Sequence, residues 1–215
     1  MQKQALVRVN KYSRKIKELS ILKRVSVDYP LLCQDEVARK LATIANKLPE
    51  DMFLQIDSAY RTRKTQKILW QVRKDAVPGL VHNPSDGESP HCTGGAIDIS
   101  FIGSLNREIN LSEPFPKFYN EPQFVSEKIT PKAQKLRNLM NKIMCEEGFA
   151  PNPREYWHFS YGDKMWAEHT KSVPLYSETD LAKDMYYPIL QRLFYKVLRK
   201  MWKAFNKVFS VQTNY

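Results

Sequence analysis

Two short stretches hold the residues best suited to metal-centred chemistry. The first reads Ser89-Pro90-His91-Cys92-Thr93-Gly94-Gly95-Ala96-Ile97-Asp98, the second Glu155-Tyr156-Trp157-His158. Together they offer two imidazoles and two carboxylates. A catalytic zinc site asks for about three protein ligands, an open fourth position for water and an unligated base nearby. One carboxylate here can bind a metal while the other stays free. Taken alone, the E-x-x-H of the second stretch is a weak signal. His82 could be a ligand by type but lies among turn residues and reads as a solvated loop histidine, and His169, in a polar stretch, reads as structural or solvated. Cys92 is a ligand by type, but beside His91 in extended chain it points the other way and reads as a small buried thiol.

The elements that must position these groups follow from periodicity. Residues 34–48 carry Val37, Leu41, Ile44 and Leu48 at helical spacing, with Pro49 closing the helix. Residues 53–61 read as a short buried strand running out into Arg61, and a second helix follows over 65–74. On spacing alone, an arginine after such a strand is a surface or salt-bridging residue. Residues 75–90 are turn chemistry throughout and suit the mouth of a site. From His91 to Phe101 the chain reads as strand, with Gly94-Gly95 marking a bulge or a close backbone approach. His91 and Asp98 are an odd number of residues apart, so they share a face only if a bulge inserts an extra residue. Thr130-Pro131 starts a helix as N-cap and first helical residue. Its apolar stripe holds Leu136, Leu139, Met140, Ile143 and Met144, with Cys145 assigned to it and Gly148 ending it. Residues 155–161 are aromatic-rich and read as strand, with Tyr156 and His158 on one face. Residues 1–30 show no clean period of either kind.

At 215 residues the chain suits one well-buried domain. Its three cysteines are widely spaced with no CxxC, which speaks against a disulfide framework. The net charge is +11, yet residues 1–24 contribute +7 and residues 185–215 contribute +6, leaving −2 for the middle. The basicity therefore belongs to the ends, and no helix-turn-helix, zinc-finger or RRM pattern supports specific nucleic-acid binding. The first residues lack the apolar run of a signal peptide, and no uncharged stretch approaches the ~18 residues of a membrane span. The expected location is the cytoplasm.

The motifs resemble those of the VanX-type D-alanyl-D-alanine dipeptidases, within the zinc D,D-peptidases that share a fold with the hedgehog signalling domain. That pattern, S-x-H-x-x-G-x-A-x-D followed by E-x-W-H, is matched by Ser89, His91, Gly94, Ala96 and Asp98 and by Glu155, Trp157 and His158. Tyr60-Arg61 matches the upstream Tyr-Arg, and the resemblance covers roughly residues 35–170. It implies one zinc ion bound by His91, Asp98 and His158, Glu155 as general base, and Arg61 facing the developing oxyanion. Ser89 and Tyr60 would contact substrate, Ser89 at its C-terminal carboxylate. It further implies an α+β fold, an antiparallel sheet carrying the zinc site with helices packed on one side. The implied activity is hydrolysis of D-Ala-D-Ala or a closely related short D,D-peptide in cell-wall metabolism.

One departure matters. Where such enzymes carry an acid for the substrate's ammonium, this chain reads Asn110-Leu111-Ser112-Glu113-Pro114-Phe115-Pro116, with Pro116 at about the acid's place. Glu113 is the nearby acid that could replace it. This leaves a D,D- or L,D-carboxypeptidase acting on longer cell-wall peptides as an alternative. A non-catalytic zinc-stabilised module that binds a partner or a membrane is a third reading, opposed by the retained Glu155 and Arg61.

The domain expected to carry the chemistry is 1–180, followed by an extension over 181–215. Residues 181–209 set Leu, Ile, Val, Phe, Met and Trp at i, i+3, i+4 spacing opposite six basic residues. Such a helix can cover the domain's own apolar surface, lie peripherally on an anionic membrane, or dock on a partner protein.

Overall fold

The computed structural model describes residues 5–20, 30–74, 81–111 and 129–179. The chain divides into units Met1–Leu181 and Ala182–Tyr215, and every described residue lies in the first. The expected C-terminal helix and Glu113 fall outside the described residues.

The period over 34–48 becomes helix α1, Asp35–Lys47, which buries Val37, Leu41 and Ile44. Gln34 before it and Leu48 after it are both extended in ψ. Two three-residue strands precede it, β1 (Leu6–Arg8) and β2 (Ile16–Glu18), with β3 (Leu32–Gln34) leading into the helix. The sequence gives no sign of β1 or β2, because three residues are too few to display a period of two. They exist through pairing: β1 lies antiparallel to β3, and β2 lies parallel to β4, Met52–Ser58. Helix α2, Arg63–Arg73, follows, and its N-cap Thr62 accepts from the Thr65 amide.

The main sheet has five strands in the order β2-β4-β5-β7-β6, with β5 at Ala96–Gly103, β6 at Ala150–Pro151 and β7 at His158–Ser160. All its pairings except β2 with β4 are antiparallel. The sheet is thus mixed rather than wholly antiparallel, because the chain enters it through an edge strand that runs alongside β4.

Strand β5 sits at the centre and sorts its residues by alternation. Ile97, Ile99 and Phe101 belong to the hydrophobic core with Leu54 and Ile56 of β4, whereas Asp98 and Ser100 occupy the other face. On that polar face Gln55 donates to the Ser100 hydroxyl, and both donate to the Asp57 carboxylate. A register shift between Ile56 and Ser58 inserts an extra residue into β4 and sets Ser58 opposite Asp98. The irregularity thus lies in β4 rather than at Gly94-Gly95, and it aligns Ser58, not His91, with Asp98.

Helix α3, Pro131–Glu146, has the expected cap: the Thr130 hydroxyl accepts from the Ala133 amide, and Pro131 takes the first helical position. Met140 and Met144 are buried in the core, but Cys145 is exposed. The assignment of Cys145 to the apolar stripe is corrected: one position after Met144, the helix has rotated it about 100° away from the buried face. Helix α4, Lys164–Thr170, is capped by Asp163.

Candidate metal centre and active site

Asp98 is the hub, and the sheet itself brings its partners. The β5–β7 register sets His158 directly across from Asp98, and the β4 bulge sets Ser58 on its other side. His91 does not come from a strand, as the sequence reading had it. It lies in a 3-10 turn, Pro90–Thr93, which ends at Gly94 with φ +74°, a left-handed conformation that favours glycine. This turn, not a bulge, reverses the backbone enough for His91 and Asp98 to converge. Gln34, the last residue of β3, clamps it: the Gln34 amide donates to the Gly94 carbonyl, and its side chain donates to the Thr93 carbonyl.

Ligand atoms of His91, Asp98 and His158 all lie within 4.8 Å of one another, and all three residues are buried. His91 Nδ1 donates to the Ala59 carbonyl at 2.9 Å, which fixes the tautomer and leaves Nε2 as the free lone pair, 3.4 Å from Asp98 Oδ2. His158 Nδ1 stands 2.9 Å from Asp98 Oδ1. The two imidazoles meet edge to face with centroids 4.9 Å apart. Burial lowers His91 to about 4, with the Arg61 charge acting the same way, so the ring is neutral and available as a ligand. Burial also works to raise Asp98, but its two imidazole neighbours, His91 and His158, hold its carboxyl well below the usual range. Two nitrogens and an anionic oxygen converging in a buried site are a donor set that suits zinc.

The remaining groups surround this centre. Glu155 does not stand on a strand, because β7 begins only at His158; instead the His158 amide donates to the Glu155 carbonyl in a tight turn. That turn brings Glu155 Oε2 to 3.8 Å from His158 Nδ1. The Asn152 side chain donates through Nδ2 to the same carboxylate oxygen at 2.9 Å. Burial pushes Glu155 up to about 7, Asp98 adds to the effect, and His158, Arg61 and Arg154 oppose it. A carboxyl titrating there is suited to general-base work near neutral pH. Arg61 is buried and pairs with Asp98 Oδ2 at 3.0 Å, with further hydrogen bonds to the Ser58 hydroxyl and the Gln66 side-chain carbonyl.

Ser89 is buried with its hydroxyl unpartnered, while its amide donates to Glu178. Tyr60 is buried and turned into the structure, its hydroxyl donating to the Thr179 carbonyl at 2.6 Å. Glu113 lies outside the described residues. His82 and His169 are not among the converging ligands. Sequence reasoning missed Ser58, Gln66 and Asn152, which hold Arg61 and Glu155. Only Asn152 left a trace, as the Asn of an Asn-Pro turn.

A sequence model of the D-ala-D-ala dipeptidase peptidases matches residues 18–175, most of the chain. The chain belongs to the D-Ala-D-Ala dipeptidase family. Within that family it is 34% identical over 189 residues to the D-alanyl-D-alanine dipeptidase of Synechocystis, an alignment spanning 67% of this chain and 76% of that protein. It is 30% identical over 129 residues to the D-alanyl-D-alanine dipeptidase of Escherichia coli K12, spanning 60% of this chain and 65% of the relative. The family match takes in both motif stretches and stops just before Tyr176.

Proposed function

We propose that this chain is a zinc-dependent dipeptidase that hydrolyses D-Ala-D-Ala or a closely related short D,D-dipeptide. The observation that carries the reading is the convergence of His91, Asp98 and His158 beside a carboxylate, Glu155, that is left free to act as a base. Family membership and the names of its relatives supply the substrate class.

In this reading His91 Nε2, an Asp98 oxygen and His158 Nδ1 would hold the ion. Zinc would supply Lewis acidity toward the scissile carbonyl and a water acidified to a pKa of about 7. Glu155 accepts the proton of the attacking water and returns it to the leaving amine, poised for both steps by its burial. Arg61, locked between Ser58, Gln66 and Asp98, presents a fixed positive donor toward charge developing on the carbonyl oxygen. The unpartnered Ser89 hydroxyl is assigned to the substrate's C-terminal carboxylate, with Tyr60 supporting that wall and Glu113 standing in for the absent ammonium anchor. The replacement of that anchor region favours one second reading, cleavage of longer or N-blocked D,D-peptides.

The test is D-alanine release from free D-Ala-D-Ala by zinc-loaded protein, with Glu155→Ala as control. Rapid release that disappears in the variant is the expected result. Protein shown to hold zinc that releases nothing would sink the dipeptidase reading and direct the assay to N-acylated and longer D,D-peptides.

A further inference from the structure

Asp163 is fully buried, and one of its two carboxylate oxygens has no partner. Oδ1 accepts from the Trp166 amide as the cap of α4. Oδ2 has no hydrogen-bond partner, although the whole residue is 0% exposed. A cap needs only one oxygen, and a serine or asparagine would provide it without burying a charge. An orphaned buried carboxylate oxygen carries a desolvation penalty of about 1–3 kcal/mol or more, so its retention calls for a reason.

The reason lies three residues back along the chain. Ser160, itself 0% exposed, places its hydroxyl 3.5 Å from His158 Nε2. Burial raises the Asp163 carboxyl, and the Trp166 amide, the Ser160 hydroxyl and the His158 ring each work against it in favour of the ionised form. Ser160 thus stands against His158 by distance, and acts on Asp163 three residues further along the chain. His158 faces Asp98 and Glu155 with Nδ1. If Nδ1 is to be a ligand, it must present a lone pair, and the ring's proton must then sit on Nε2. An acceptor is needed there. Ser160 can accept only if its own hydrogen is directed elsewhere, and Asp163 Oδ2 is the acceptor available to take it.

We propose that Asp163, acting through Ser160, is a positioning residue that fixes His158 as the Nε2–H tautomer and so prepares Nδ1 for metal binding. The inference rests on the zinc reading of the site. It assigns Asp163 no contact with substrate. It also makes the two ligating histidines equivalent in design: His91 is oriented by the Ala59 carbonyl, and His158 by a serine-relayed carboxylate.

Asp163→Asn separates this role from capping. Asparagine keeps an oxygen for the Trp166 amide but sets an NH2 where Oδ2 was, which turns the Ser160 hydrogen toward His158 and favours the wrong tautomer. The experiment measures zinc affinity of the full chain by chelator competition, thermal melting of the metal-free protein, and solvent exchange of the His158 Nε2–H by 15N NMR of the zinc-loaded protein. Expected for Asp163→Asn are zinc binding weaker by about 10–100-fold, faster Nε2–H exchange, and metal-free melting no lower than wild type. Ser160→Ala should weaken zinc binding likewise. Unchanged zinc affinity and exchange in both variants would overturn the proposal, as would a loss of affinity matched by a general loss of metal-free stability. A wild-type chain that takes up no zinc would instead refute the metal site itself, and the relay with it.

Discussion

At the scale of single residues, the site works by giving each charge a fixed neighbour. Arg61 shows why this matters. Its guanidinium spends one edge on Ser58 and Asp98 and another nitrogen on Gln66, all in a buried setting, so it cannot swing. Lysine would retain the charge but not the fork of donors. Arg61→Lys is therefore expected to fold and to lose about 10²–10³ in kcat, the size of one preorganised oxyanion donor, with a smaller change in KM. Steady-state kinetics on D-Ala-D-Ala check this. A variant with wild-type kcat would remove Arg61 from the chemistry. Arg61→Ala should additionally lower the melting temperature, since it strands Asp98 as a buried anion.

At the scale of elements, two turns do the positioning. The 3-10 turn that carries His91 depends on Gly94, whose φ of +74° strains any L side chain, and a Cβ there would also make the Leu6 methyl shift. Gly94→Ala is expected to cost about 1–3 kcal/mol of stability and to weaken metal binding by displacing His91. Urea unfolding and a zinc titration read the two effects separately. The start of α1 is the other anchoring point. Asp35, in its first turn, accepts from the Tyr12 hydroxyl at 2.6 Å and from Lys11 and Arg39, tying residues 11–12 to the helix. The Tyr12 hydrogen bond first, then Lys11 and Arg39, hold its carboxyl well below the usual range. A depressed carboxyl contributes stability that is present above its unfolded pKa of about 3.9 and lost as pH falls toward the folded value. Melting curves of wild type and Asp35→Asn should thus differ most at neutral pH and converge on acidification below about pH 4. A constant offset across that range would contradict the assignment.

At the scale of the whole molecule, His91, Asp98 and His158 all lie in the unit Met1–Leu181, and the basic apolar stretch of the sequence follows it. Among the described residues no helix is long and apolar enough to cross a membrane. Deleting residues 181–215 is expected to leave D-Ala-D-Ala hydrolysis intact and to remove binding to anionic liposomes, the signature of a basic amphipathic segment. Sedimentation with vesicles reports one effect and the D-alanine assay the other. Tight vesicle binding by the truncated chain would refute the membrane role, and lost hydrolysis would tie the tail to the catalytic unit.

How much was legible beforehand divides along the same physical line. By itself the sequence determined what local spacing encodes: α1 from Val37, Leu41 and Ile44, the cap of α3 from Thr130-Pro131, the strand that becomes β5, and the types of donor available. These depend on neighbours within a turn or two of chain. The tertiary structure alone decided what depends on distant partners. It made strands of residues 6–8 and 16–18, moved the bulge to β4, replaced a strand by a turn at His91, and exposed Cys145. It also supplied the Ala59 carbonyl, the Asn152 side chain and the Ser160 hydroxyl around the centre. A hydrogen-bond acceptor has no sequence signature when it is a backbone carbonyl 32 residues away. The chemistry could be read from residue types, but its tautomers, orientations and proton affinities come from packing that no local pattern records.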